Sequence, residues 1–230
     1  MQDLSNWTPR PVPTAESLKG RFVRLERLSA RRHGDGLFAA STMPDAEARF
    51  RWLPDRPPAS RDDFQAWLDR AAAGTDPLFF AVIDRATDRI AGRQALMRID
   101  TQNGVIEIGN ILWSSMIART PAATEAFFLF AAHVFDDLGY RRFEWKCNDR
   151  NEPSKRAAIR FGMTYEGTFR QHLLVKGENR DTAWFSMLDR EWREESAVLR
   201  TWLEPGNFDA DGNQLRRLEE IREIAHAGTA

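Results

Sequence analysis

The stretch ARTPAATEAF, residues 118–127, lies between a run that predicts a β-strand and a run that predicts an amphipathic helix. Thr120 is a favourable N-cap residue, and Pro121 suits the first helical position, where an N–H has no helical partner. The amides that follow would point beyond the end of the strand, where the helix dipole favours an anion. Ala122 and Ala123 are small enough to admit a pyrophosphate. Taken alone, the stretch favours a capped helix start over an anion site.

The segments on either side of this stretch predict a crossover between parallel strands. VIEIGNILW (105–113) predicts a strand, and the helix extends from Pro121 to about Leu138, before Gly139. YRRFEWKC (140–147) alternates apolar and charged residues and predicts the next strand. Because a strand–helix–strand unit of these lengths forms a right-handed crossover, the two strands should run parallel.

The remaining segments predict a mixed α/β fold whose sheet is mostly antiparallel. Short turns join the runs LFFAVI (78–83), RIAGRQALMRI (89–99) and 105–113, which indicates an antiparallel meander. The other predicted elements are an irregular arm over 1–17, a strand within 21–28, a helix over 30–42, an ordered loop over 43–60, a helix from Ser60 to Gly74, a short helix from Pro153 to Phe161, a hairpin over 169–188, and helices in a C-terminal extension over 193–230.

Composition and charge limit the classes of protein to which the chain can belong. The 230 residues include 33 basic and 34 acidic side chains, so there is no electrostatic case for nucleic acid or an anionic membrane as a partner. No apolar run approaches the roughly 20 residues of a membrane span, and the first residues do not resemble a signal peptide. Cys147 is the single cysteine, on the apolar face of its strand, and is expected in the core. We therefore expect a cytoplasmic protein, and the histidine spacings give no reason to expect a metal.

The segment NEPSKRAAIRFGM, residues 151–163, is the second candidate site. Asn151 can cap its helix and Ser154 lies in the first turn, which alone indicates an ordinary helix start. The order along the chain is more specific. KGRFVRLERL, EIGNILW, ATEAF, LGYRRFEWKC, this segment and KGENRDTAWFSMLDREW follow one another in a way that resembles the GCN5-related N-acetyltransferases, the GNAT superfamily. The resemblance covers residues 18–192, and in particular suggests the group of ribosomal-protein-alanine acetyltransferases and their small-molecule relatives.

The resemblance implies a sheet with one splayed pair of parallel strands, flanked by helices, and a V-shaped cleft that binds acetyl-CoA. Pantetheine would pair with the backbone of residues 111–113, Asn151 would orient it, and Ser154 would protonate the departing thiolate. Phe50 and Trp52 would lie on the acceptor side of the cleft. The residues implied in donor binding are Ile111, Leu112, Trp113, Arg119, Thr120, Ala122, Ala123, Thr124, Asn151, Lys155, Arg156 and Arg160. For the last three, a solvated helix face is an equal alternative.

The phosphate loop departs from the family pattern. That pattern is Gln or Arg, two residues, Gly, one residue, and then Gly or Ala, and it falls here on Ala118, Pro121 and Ala123. The basic residue is shifted by one position to Arg119, and the glycine is missing. Since proline donates no N–H, one phosphate contact must be lost or moved. We expect it to move towards Arg119 and residues 122–124.

The general base is the second departure. Similar enzymes carry a glutamate at the position of Leu173, whose neighbour His172 would face the other way in a regular strand. Glu107, on the splayed strand, is another candidate. Deprotonation through water, with no dedicated base, is the third alternative.

These expectations combine into an enzyme that transfers an acetyl group from acetyl-CoA to a primary amine. The amine attacks the thioester directly in a ternary complex, without a covalent intermediate or a metal. The acceptor is a small molecule or a protein N-terminus, with the small molecule favoured. The alternatives are transfer of a larger acyl group such as succinyl, and a non-catalytic acyl-CoA-binding module. The oligomeric state stays open, with a homodimer as one option.

Overall fold

The computed structural model describes residues 3–227, in which helices flank one eight-stranded sheet. Residues 1–2 of the predicted arm and 228–230 of the predicted extension lie outside this range. The strands are β1 (Ser17–Lys19), β2 (Val23–Arg27), β3 (Leu78–Asp84), β4 (Arg89–Asp100), β5 (Val105–Trp113), β6 (Arg142–Asn148), β7 (Thr164–Val175) and β8 (Glu178–Leu188). The helices are α1 (Ala30–Ser41), α2 (Ala46–Phe50), α3 (Arg61–Ala73), α4 (Pro121–Ala132), α5 (Glu152–Arg160), α6 (Asp189–Leu203) and α7 (Leu218–Ala227), with a π-helical turn at His133–Asp137 and a 3-10 turn at Pro205–Asn207.

The sheet confirms the predicted fold class. Its strand order is β1-β2-β3-β4-β5-β6-β8-β7, and every neighbouring pair is antiparallel except β5 and β6. Strands β3 to β5 form the predicted meander, and α4 makes the predicted crossover from β5 to β6. The predicted hairpin, β7 and β8, joins the sheet through β8, so that β7 is an edge strand.

Strands β5 and β6 pair over only four residues and then separate. The pairs run from Val105 with Arg142 to Ile108 with Trp145. On the side that faces β4, strand β5 carries a bulge. The three residue steps from Gly109 to Leu112 lie opposite only two steps of β4, from Ala95 to Arg93. Within the bulge, Asn110 has a φ of 52°, a left-handed conformation that asparagine tolerates better than most residues. A bulge bends its strand, and here it accompanies the turn of β5 away from β6.

Helix α4 is buried between the sheet and α6. Nine of its twelve residues are buried, which fits a helix that is apolar on nearly all sides. The Phe127 ring stacks on Phe161 with the centroids 4.4 Å apart, and Phe128 packs on Trp192 of α6. The helix that the sequence predicts as far as residue 138 continues from α4 through the π-helical turn, and Gly139 follows with a φ of 68°.

A buried carboxylate in α4 holds the turn between β1 and β2. Glu125 accepts the backbone N–H groups of Arg21, Phe22 and Val23 at 2.7, 2.6 and 2.8 Å. Gly20 lies so close that a β-carbon on it would meet the Glu125 carboxyl carbon at 2.2 Å. Hydrogen bonds to an ionised acceptor are stronger than neutral ones, so this contact fixes the first hairpin on the crossover helix.

The structure corrects one prediction about regular structure and adds detail at both ends of the chain. The region 43–60 contains the short helix α2 and is not only a loop. The last residue of the predicted arm, Ser17, begins strand β1, and the arm is held to the fold where Trp7 Nε1 donates to the Gln102 carbonyl at 2.7 Å. The expected boundary at residue 192 falls inside α6, whose apolar residues belong to the main core.

None of the helices within residues 3–227 has both the length and the apolar composition needed to cross a membrane.

Replacing Glu125 with alanine should destabilise the fold. Three backbone donors would lose an ionised acceptor, for which we expect a loss of about 3 kcal/mol in the free energy of unfolding. The measurement is urea unfolding followed by circular dichroism, with Glu223→Ala as the control because Glu223 is exposed on α7. A loss below about 0.5 kcal/mol, the range of ordinary surface substitutions, would contradict the role given to Glu125.

Candidate active site

A cleft of about 760 Å³ opens where β5 and β6 separate. Along β6, Trp145 and Cys147 face α5 whereas Lys146 faces the other side of the sheet, since successive side chains of a strand alternate. All three residues line the cleft, which therefore reaches both faces of the sheet. We call the two parts the α5 end and the Lys146 end.

Ser154 and Asn151 lie together at the α5 end. The Asn151 side chain caps α5 by accepting the N–H of Ser154 at 3.2 Å, as the sequence predicts for an ordinary helix start. Ser154 Oγ accepts the indole N–H of Trp145 at 2.9 Å. Since the indole is the donor, the hydroxyl proton of Ser154 stays available. Burial raises the pKa of the neighbouring Cys147 thiol, and a hydrogen bond with Ser154 opposes that shift.

The open edge of β5 forms one wall of the cleft. Ile111, Leu112 and Trp113 all line it, and none of them pairs with β6. The carbonyl oxygen of Trp113 already accepts a hydrogen bond from Arg49 Nη1 at 2.6 Å. Arg49 is in turn held by Asp45 at 2.5 Å. One of the three backbone positions expected to pair with pantetheine is thus bonded within the chain.

The loop before α4 contributes Ala118 and Arg119 to the cleft. Arg119 is exposed and has a φ of 66°, in the left-handed region. Thr120 occupies the N-cap position, but its hydroxyl donates to the Ile117 carbonyl at 2.7 Å and does not cap the helix.

The backbone amides of this loop fall into two groups. The N–H groups of Ala118, Thr120 and Ala123 donate to carbonyl groups of the loop itself. Those of Arg119 and Ala122 have no hydrogen-bond acceptor among residues 3–227, which leaves them available to an anion. The Thr124 hydroxyl is occupied, because it accepts from Arg160 Nη1 at 3.0 Å.

The basic residues of α5 lie outside the cleft lining. Lys155 Nζ is 2.6 Å from Glu152, and this contact raises the pKa of Lys155. Arg156 is exposed on the same helix face as Arg160, four residues further on. Arg160 packs over Trp202, with 4.8 Å from the guanidinium carbon to the ring centroid.

Of the two aromatic residues expected on the acceptor side, one lines the cleft and the other lies in the core. Trp52 lines the cleft. Phe50 is only 3% exposed and packs with Leu53 and Leu112 in a small core cluster beneath it.

Of the two candidate bases, only one lines the cleft. Glu107 lines the Lys146 end, where its Oε2 is 2.7 Å from Arg98 Nη1 and 2.8 Å from Lys146 Nζ. His172 is outside the lining, and its Nδ1 lies 3.0 Å from the Thr182 hydroxyl. Burial, together with three nearby cations, lowers the pKa of His172. Leu173 faces the cleft in its place.

Three basic residues of the Lys146 end were not identified from the sequence. They are Arg98, Lys146 and Arg180. The alternation of YRRFEWKC placed Lys146 on a polar face, but that pattern does not show that the face is buried. Arg180 had no signal, because its position depends on where β6 ends.

Among residues 3–227 there is no group of three or more His, Cys, Asp or Glu side chains that could hold a metal ion.

Comparison with known proteins gives consistent results. The family model described as acetyltransferase (GNAT) domain matches residues 23–164. A crystal structure of a GCN5-related N-acetyltransferase from Brucella melitensis is 60% identical, with a TM-score of 0.95, over 96% of this chain and 100% of that one. A probable GNAT-family acetyltransferase from Chromobacterium violaceum is 38% identical, with a TM-score of 0.78, over 84% of this chain and 96% of that one.

A curated relative is more distant. The uncharacterized N-acetyltransferase p20 of Bacillus licheniformis is 31% identical over 113 residues, which are 49% of this chain. The match spans 63% of the length of that relative. The family model, by contrast, extends over more than half of the chain, through the crossover and α5. The protein belongs to the GNAT family of acetyltransferases.

Proposed function

We propose that the protein transfers an acetyl group from acetyl-CoA to a primary amine by direct attack in a ternary complex. The observation that carries the proposal is the open V between β5 and β6, with an unpaired strand edge on one wall and the Ser154 hydroxyl on the other. This opening is accessible from both faces of the sheet. A donor and an acceptor can therefore enter from opposite sides and meet at the vertex.

The fit of the donor rests on two features of the chain. The β5 edge at Ile111 offers backbone groups to an extended pantetheine arm, whereas the Leu112 carbonyl faces Gly92 of β4 and Arg49 already holds the Trp113 carbonyl. The N–H groups of Arg119 and Ala122 suit the pyrophosphate, and the Arg119 side chain adds a positive charge. In this proposal, the N–H groups of Arg119 and Ala122, one before and one after Pro121, replace the N–H that the proline lacks. Lys155 and Arg156 stay as proposals for the nucleotide phosphates, with Arg156 the less occupied of the two.

The chemistry needs a neutral amine, a donor to the carbonyl oxygen and a proton for the departing sulfur. We assign the proton to Ser154, because Trp145 donates to its oxygen and the Ser154 hydroxyl is then itself the donor to any further partner. Cys147 lies beside it, but a raised pKa keeps this thiol protonated and a poor nucleophile. That favours direct attack over an acyl-enzyme.

The amine proton is best carried away by water. His172 lies outside the cleft lining, and Oε2 of Glu107 is bound by two cations. Glu107 then orders the Lys146 end and does not need to act as the sole base. The acceptor itself is a small molecule or a protein N-terminus, and Trp52 shapes its entry.

Donor binding should stabilise the fold. A ligand at a hundred times its dissociation constant adds about 2.7 kcal/mol to the free energy of unfolding, which is about 5–10 °C in melting temperature for a chain of this size. Millimolar CoA and acetyl-CoA should produce such a shift, measured by differential scanning fluorimetry, and ATP should produce a smaller one. No shift with either CoA species would overturn the proposed donor.

Replacing Ser154 with alanine should slow turnover while donor binding persists. Loss of a general acid costs about 10²-fold or more in kcat. The measurement is the thiol released from acetyl-CoA with a panel of primary amines, beside the CoA-induced melting shift. Ser154→Thr, which keeps the hydroxyl, should recover much of the rate, and Ser196→Ala on α6 is the control. An unchanged kcat in Ser154→Ala would remove Ser154 from the mechanism, and unchanged turnover of Asn151→Ala would do the same for Asn151.

Replacing Arg119 with alanine should weaken CoA binding in a salt-dependent way. Alanine and arginine have similar difficulty at a φ of 66°, so the substitution mainly removes the charge. We expect an increase of about fivefold in Kd at low ionic strength, and less at high salt, by isothermal titration calorimetry. Arg190→Ala, at an exposed position of α6, is the matched control. Equal affinity in the two variants at low salt would show that Arg119 does not compensate for Pro121.

A further inference from the structure

The cations of the Lys146 end differ in whether the chain neutralises them. Arg98 pairs with Glu107 at 2.7 Å. Lys146 pairs with Glu107 at 2.8 Å and with Glu144 at 2.6 Å. Arg180 also lines the cleft, yet no carboxylate of residues 3–227 lies within 4.0 Å of its nitrogens. Arg180 is therefore an unneutralised cation in the wall of the cleft.

The Arg180 guanidinium is also partly dehydrated. Its Nε is buried and has no hydrogen-bond partner among the described residues. Burial lowers the pKa of Arg180, although the side chain stays protonated at physiological pH. A buried donor without an acceptor is costly, and that cost is removed when a ligand supplies the acceptor.

The position of Arg180 puts this charge at the opening of the V. Arg180 lies two residues before Thr182, the partner of Asn148 at the end of β6. Its side chain therefore projects where β6 no longer fills the sheet. Arg180 shares the lining of the cleft with Cys147 at the α5 end and with Glu107 at the Lys146 end. Arg180 thus reaches the region where donor and acceptor would meet.

The charge balance favours a monoanion. One guanidinium is unneutralised, and the Glu107 carboxylate in the same cleft lining disfavours a second negative charge on the ligand. Leu173 and Val175 supply apolar contacts beside it. The planar guanidinium matches a carboxylate with two parallel hydrogen bonds.

We propose that Arg180 binds a carboxylate carried by one of the two reactants, an inference that rests on the proposed acyl transfer. The carboxylate has two sources. It belongs to the acceptor, which is then an amino acid or a similar amino-carboxylate, or it is the free end of a dicarboxylic acyl group such as succinyl on the donor. Both place one negative charge against Arg180.

Binding measurements on the wild type and Arg180→Gln separate these sources. The donor arm compares the Kd of succinyl-CoA with that of acetyl-CoA by calorimetry. The acceptor arm uses the CoA-bound protein and compares N-acetyl amino acids with the corresponding amides, which lack the carboxylate. In one arm the carboxylate ligand should bind the wild type at least about tenfold more tightly, and Arg180→Gln should lose that preference.

Two further variants keep the result specific. Arg180→Lys retains the charge without the paired donors and should keep part of the preference. Arg170→Gln removes an exposed arginine from the same hairpin and should leave the preference unchanged. The melting temperature of each variant verifies that it is folded.

The outcomes distinguish this inference from the proposed function. No carboxylate preference in either arm, or a preference that survives in Arg180→Gln, overturns the role of Arg180 even if amines are acetylated. A preference that depends on Arg180 supports the carboxylate site even if no tested amine is acetylated, in which case the thiol-release assay alone counts against the proposed reaction.

Discussion

The vertex of the V depends on one buried ammonium group. Glu107 of β5 and Glu144 of β6 are register partners in the parallel pair, and two like charges directly opposite each other destabilise a sheet. Lys146 Nζ lies between them, at 2.8 and 2.6 Å, and its side chain is only 5% exposed. It also lies 3.8 Å from the centroid of the Trp184 ring. Without this cation, the opposed carboxylates of Glu107 and Glu144 would keep only Arg98 and Arg142 as partners, with no positive charge between them.

A buried ion network of this kind adds little net stability, but it restricts geometry. Lys146 is the first residue of β6 beyond the paired segment, so the network marks the point where the strands separate. On the opposite face, Trp145, Phe127 and Phe161 fill the space beneath the opening. Charge on one face and aromatic packing on the other hold the two strand ends apart, and the cleft is a consequence of both.

The sequence was sufficient for the order of the elements and for the parallel pair, because hydrophobic periodicity and helix signals are local. It was insufficient for the burial of individual side chains and for the register between strands. Periodicity assigned Lys146 to a polar face, but the burial of that face depends on the neighbouring strand β8. Phe50 could not be assigned to the core because α2, with five residues, is too short to show a periodicity.

The candidate site shows the same division. Asn151, Ser154 and the β5 edge line one cleft, and the roles that the family resemblance implies for them stay predictions. Thr120 differs, because its hydroxyl bonds a carbonyl of the loop and not a helix amide. Arg180 could not be found, since its access to the cleft depends on β6 ending at Asn148. Contacts between residues close in sequence can be predicted from the sequence, whereas contacts between the ends of different strands can be identified only from the three-dimensional structure.

The loop before α4 has a thermodynamic consequence that its contacts alone do not reveal. Pro121 restricts the chain before any ligand arrives, which lowers the entropy of the unfolded state. Arg119 acts in the opposite direction, since a non-glycine residue in the left-handed region costs about 1 kcal/mol. Glycine at position 119 would relieve that cost and remove the charge at the same time. Under the role proposed for Arg119, the loop lies on the trade-off between stability and activity, because the residue that weakens the fold also supplies the charge for the ligand.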